Sequence, residues 1–162
     1  MKKEQIYALQ TILSTAGAWL SNKLGILFPM LMVLIAMMVV DQLTGMFASK
    51  KEALDYPNNS DYGWSSIKWR KGIYKKMGYL MTVVVAIVVD FILFACAKYM
   101  GITVQASTIF GLLTTIWLIL NELLSITENA GRLGAPLPAF LQKVLVVMKE
   151  KVEIKADEES EG

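Results

Sequence analysis

The sequence predicts an all-α integral membrane protein with three transmembrane helices and a C-terminal amphipathic helix. An N-terminal amphipathic helix precedes them, in residues that would also allow a fourth span. Three observations carry this reading. Hydrophobic residues make up 55% of the 162, and the mean hydropathy is +0.48, values a soluble domain of this length seldom shows. Three separate apolar runs each approach the roughly 20 residues that cross a bilayer as a helix. The basic residues are concentrated in particular segments, as topology requires. Three or four spans exhaust the length, leaving no room for a separate catalytic domain.

Residues 1–23 place Ile6, Leu9, Ile12, Leu13, Ala16, Trp19 and Leu20 at helical intervals, diluted by Gln5, Gln10, Thr11, Ser14 and Thr15. That period fits a helix lying in the interface, or a short polar-flanked span. Residues 24–48 form the first span, with Pro29 in its opening turn, where a missing backbone donor costs little. Asp41, Gly45 and Ser49 stand four apart, giving the end of that helix one small, acidic face.

Residues 49–76 are expected to form a basic, aromatic loop on the cytoplasmic side. Tyr56-Pro57-Asn58-Asn59 is a strong turn signal, and Trp64, Trp69, Arg70, Lys71, Lys75 and Lys76 follow. Aromatic residues interleaved with cations beside a span point to a membrane interface on an anionic leaflet rather than to nucleic acid. Residues 77–97 form the second span, on which Gly78, Thr82, Ala86 and Asp90 recur every four residues as a stripe suited to close helix packing. The third span covers 102–126, with Ser107, Gly111, Thr114, Asn121, Ser125 and Glu128 on one seam and Glu122 beside it. Gly131, Gly134, Pro136 and Pro138 then break the helix. Residues 137–154 form a surface-lying amphipathic helix, and 155–162 an acidic, disordered tail.

Orientation follows from the cations. With three spans, 12 of the 16 Lys and Arg residues fall on the side of the 49–76 loop and the C-terminus. That side is therefore expected to be cytoplasmic in a bacterial inner membrane, and it stays so whether or not residues 6–20 cross. Helix rise then puts Asp41 and Glu122 near the cytoplasmic ends of their spans and Asp90 deeper, roughly 20 Å along its helix from Met77. A lone charge at that depth costs on the order of 2.5–3.5 kcal/mol, so Asp90 should be protonated, paired or facing a wet cavity. It either bonds a neighbouring Ser or Thr, or lines water where copies of the chain meet. Lys75 or Lys76 is the candidate partner of Glu122.

No enzymatic activity, cofactor or metal is expected. Histidine is absent, the single cysteine Cys96 lies inside an apolar run, and no phosphate loop or general base accompanies the serines and carboxylates.

In its motifs the chain resembles the toxin secretion and phage lysis holin family. The likeness covers Leu24 to about Glu153 and rests on Asp41-x-x-x-Gly45-x-x-Ala48, on Ser65-Ser66 and Gly72 before Lys75-Lys76, and above all on Asn121-Glu122-x-x-Ser125-Ile126-x-Glu128-Asn129 followed by Gly134-x-Pro136-x-Pro138. The resemblance implies a small inner-membrane protein that homo-oligomerises into lesions and so releases an endolysin or a toxin, in some cases under an antiholin. It also implies three spans with the C-terminus inside. Two readings from other classes stand beside it: a membrane anchor that recruits a soluble partner, and a small-ion channel subunit.

Overall fold

The computed structural model describes residues 3–58, 63, 65–103 and 108–161, so Trp64, Ser107 and the turn residues Asn59, Ser60, Asp61 and Tyr62 lie outside the described residues. Five helices follow in order: α1 Lys3–Leu24, α2 Leu27–Asp55, α3 Ser66–Tyr99, α4 Ile109–Arg132 and α5 Ala139–Glu161. All regular structure among the described residues is helical. Three helices, α2, α3 and α4, are long and apolar enough to cross a membrane. α1 is not among them, so length and composition do not support a fourth span.

The helix ends follow from local chemistry. Gly25 takes φ +52° between α1 and α2, a left-handed conformation that other residues rarely adopt. Ser65 begins α3 as an N-cap, its hydroxyl accepting from the Ile67 N–H at 3.3 Å. α3 and α4 both close on a glycine at positive φ, Gly101 (+75°) and Gly134 (+89°). In each case two backbone bonds fold the chain back: Gly101 N–H to Lys98 and Ile102 N–H to Ala97, then Gly134 N–H to Gly131 and Ala135 N–H to Ala130. These are Schellman closures, which satisfy carbonyls the helix leaves unpaired.

The segment 49–76, expected as a loop, is mostly helix. Residues 49–55 finish α2 and 66–76 open α3, leaving only 56–65 as the connection. Lysines and arginine are good helix formers, and the N-cap at Ser65 lets α3 start well before its apolar part. α3 has 34 residues, about 51 Å of helix, against a hydrocarbon core of about 30 Å. Its basic first turns therefore extend beyond the bilayer. α4 starts later than expected, at Ile109 rather than 102, and ends later, at Arg132.

α4 is the centre of the bundle. α2 runs parallel to it, Leu27 lying near Gly111 and Asp41 near Asn129, while α3 runs antiparallel. α2 and α3 touch each other far less than either touches α4. The core is Leu34 and Met38 from α2, Val83 from α3 and Leu118 from α4, with Leu31, Leu80 and Ile87 packed around it. The outward face of α3 carries Val84, Val85, Val88, Phe91 and Ile92 exposed, which is a lipid-facing surface.

α5 departs from expectation in two ways. It is helical through Glu161, including the stretch read as a disordered tail. It also folds back along α4 instead of leaving the bundle for the bilayer surface. The turn at Gly134 reverses the chain, Leu137 reaches Gly131, and Leu145 is buried. Further along, Glu153 accepts a 2.7 Å hydrogen bond from Trp117 Nε1, and the Lys149 ammonium lies 4.8 Å from the Trp117 ring centroid.

Candidate functional site

Two buried polar layers cross the bundle, both meeting on α4. The first is built on Asp90, which is 6% exposed. The opening amides of a helix have no partner within it, and Thr108, at the cap position of α4, supplies no side-chain bond. Asp90 reaches across from α3 and accepts from the Phe110 N–H at 2.9 Å and the Gly111 N–H at 2.7 Å. A carboxylate at a helix N-terminus is favoured by those amides and by the positive end of the helix dipole. Asp90 is therefore paired, but with backbone, where a neighbouring Ser or Thr had been the simple expectation. Gly111 permits this approach: a Cβ there would lie 3.1 Å from both Asp90 Oδ2 and Leu27 Cδ2.

The second layer lies eleven residues further along α4, about 16 Å by helix rise. Lys76 of α3 places its ammonium between Asp41 of α2, at 2.8 Å, and Glu122 of α4. Glu122 is 3% exposed, so this cation stands between two carboxylates largely withdrawn from water. Asn129 steadies the surplus negative charge, its Nδ2 donating to Asp41 Oδ1 at 3.1 Å and to Thr44 Oγ1 at 3.3 Å. Gly45 leaves room for that amide: a Cβ there would stand 3.4 Å from Asn129 Nδ2. At the rim Arg132 makes a bidentate pair with Glu52, both bonds 2.7 Å, and gives a third bond to Asn129 Oδ1. The lysine expected to face Glu122 is thus Lys76, which leaves the interfacial belt and turns inward. Trp69, Arg70, Lys71 and Lys75 remain exposed.

The inward seam of α4 is Gly111, Thr115, Leu118, Glu122 and Asn129, all buried. It is rotated about one residue from the expected seam, of which Thr114, Asn121 and Ser125 are half-buried and Glu128 exposed. On α3 Gly78 and Thr82 are exposed and Ala86 is half-buried, and a Cβ on Gly78 would meet nothing within 4 Å. Arg132 and Gln42 are not singled out in the sequence, whereas Asn129 closes the motif that carries the family resemblance but is given no role of its own there. The signal for Asn129 was its position seven after Glu122, two helical turns along the same face. Among the described residues no group of three His, Cys, Asp or Glu is placed to hold a metal ion.

Three spans knitted by an inward-turned, half-buried lysine and two carboxylates define a multi-pass membrane protein whose polar groups are directed to one another inside the bundle. Residues 18–150 match the model of the bacteriophage holin family, a stretch that takes in all of α2, α3 and α4, and the chain belongs to that family. It is also similar to an uncharacterised protein of Halalkalibacterium halodurans, 28% identical over 138 residues, covering 85% of this chain and 89% of that one. No solved structure matches.

Proposed function

We propose that the protein is a holin: it accumulates in a bacterial cytoplasmic membrane with its C-terminus inside, assembles with copies of itself, and opens lesions that release an endolysin or a toxin. The observation that carries this is the family match, which spans the whole three-helix bundle and both polar layers. One feature of the single chain supports assembly, and a second sets a condition on it. Gly78 on α3 is exposed, a Cβ there would meet nothing within 4 Å, and small residues let helices approach closely in lipid. Asp41, Asp90, Gly111 and Glu122 are occupied inside the chain, so a role in lining water requires the helices to part and re-pair between copies.

Expression in a bacterium should collapse the membrane potential after a delay and release a co-expressed cytoplasmic endolysin. Viable cells with intact potential at high expression would sink the proposal. Reconstituted vesicles loaded with solutes of graded size separate the alternatives: a small-ion channel passes ions and retains dyes and proteins, and an anchor releases neither.

A further inference from the structure

We propose that the wedge between α3 and α5 is a water-filled recess, entering the membrane from the end of the bundle that carries Lys76, with α5 as one of its walls. The cavity there, about 500 Å³, is lined by Thr82 of α3, Phe110, Thr114 and Trp117 of α4, and Val152 and Glu153 of α5. Two helices gauge its depth. On α3 the run of cations ends at Lys76, and Thr82 stands five residues past Met77, about 7.5 Å further along the helix. On α4 Trp117 stands five residues, again about 7.5 Å, beyond Glu122, which is bonded to that same Lys76. Both put the recess beneath the boundary at which the apolar part of α3 begins.

At that depth the outer face of α3 and the flank of α5 differ in kind. From Met77 to Ala97 the sequence has Asp90 as its one charged residue, and Asp90 is spent on the amides of α4, so Val84, Val88 and Ile92 present an apolar surface to lipid. α5 carries charge to the same level. Glu153 is exposed, and its carboxylate is held 2.7 Å from Trp117 Nε1, which keeps the side chain from reaching back to the surface. Lys149, one turn nearer the entrance, also turns to Trp117, its ammonium 4.8 Å from the ring centroid. Among the described residues the indole is the one hydrogen-bond donor to Glu153, which leaves most of the acceptor capacity of the carboxylate unfilled. Hydrocarbon supplies nothing to meet it, and water does. A cavity of this size with Thr82, Thr114 and Glu153 on its walls has the room and the polar partners for several water molecules. Thr82 and Thr114 are two of the residues expected from the sequence to line water, and they share this one cavity. On the holin reading, on which this last step rests, the α5 side of the bundle borders the hole and the outer face of α3 borders lipid.

The test places single cysteines in the full chain, in a Cys96→Ala background, and reconstitutes each variant in phosphatidylcholine vesicles that retain a trapped dye. Modification by a charged, water-soluble methanethiosulfonate is then timed. Thr82→Cys and Thr114→Cys should react about tenfold faster or more than Val84→Cys and Val88→Cys on the open face of α3, because the attacking thiolate forms in water and not in hydrocarbon. In the same vesicles Thr114→Cys combined with Val152→Cys should be joined by a short bifunctional thiosulfonate, as α5 seated on α4 requires. Equal rates in the recess and on the open face would overturn the proposal. So would failure of that cross-link, which would mean that α5 leaves α4 in lipid. Fast modification in vesicles that keep their dye supports the recess independently of any lesion. A chain that passes both tests and never releases an endolysin keeps the recess and refutes the holin reading alone.

Discussion

Replacing Lys76 by methionine isolates the energetic logic of the buried layer. The substitution keeps the length of the side chain and removes its charge, leaving Asp41 and Glu122 facing each other with no cation between them. Removing one member of a buried ion pair costs about 3–5 kcal/mol, because the partner stays desolvated and unpaired. Glu122→Gln is the milder change: Lys76 keeps Asp41, the carboxamide oxygen still accepts, and the loss is about 1 kcal/mol. Combining the two removes one of the stranded charges, while Asp41 retains its bond from Asn129, so the double variant should recover about half of what Lys76→Met alone loses. The ordering is therefore Glu122→Gln mildest, the double variant intermediate, and Lys76→Met most destabilised. Unfolding of the micelle-solubilised protein by added SDS, followed through tryptophan fluorescence, measures all three, and salt should change the ordering little because the pair is withdrawn from water. If Lys76→Met proves no less stable than Glu122→Gln, or the double variant is worse than Lys76→Met, the charges are not coupled in this way.

Other outcomes follow from the remaining contacts. Asp90→Leu orphans the Phe110 and Gly111 amides, about 1–3 kcal/mol each, but also removes a buried charge worth about 2.5–3.5 kcal/mol, so global stability should move little. Hydrogen exchange at those two amides should nevertheless quicken about tenfold or more, and unchanged exchange there would refute the cap. Gly111→Val should destabilise by about 1–3 kcal/mol through overpacking against Asp90 and Leu27, read in the same SDS titration. Trp117→Phe removes the donor to Glu153 and should loosen α5 by about 1 kcal/mol, seen as roughly fivefold faster proteolysis of that helix.

Much of this molecule was legible in its residues, and the misses have physical causes. Long apolar runs announce spans directly, since a bilayer admits little else, so α2, α3 and α4 were visible. Their ends were not, because cations do not terminate a helix: Lys68, Arg70 and Lys71 read as a loop by polarity but lie in continuous helix beginning at the Ser65 cap. The pairing of Glu122 with a lysine followed from charge and depth. That Asp90 would seat on backbone amides did not, because the cap is supplied by a residue 20 positions from Phe110, and only the packing of α3 on α4 brings them together. The seam of α4 was misplaced by one residue, since both rows carry polar and small side chains and the choice between them rests on what α2 and α3 present.

The central place of α4 bears on how the protein is made. Ribosomal synthesis delivers α2 and α3 to the membrane first, and these two helices have little surface in common. The element that joins them is the last span to emerge, and it brings with it Glu122, the amides that seat Asp90, and Asn129. Until then Lys76 has only Asp41, and Asp90 has no partner in the finished pattern. The contacts that seat Asp90 and complete the Lys76 layer therefore all wait for the last span.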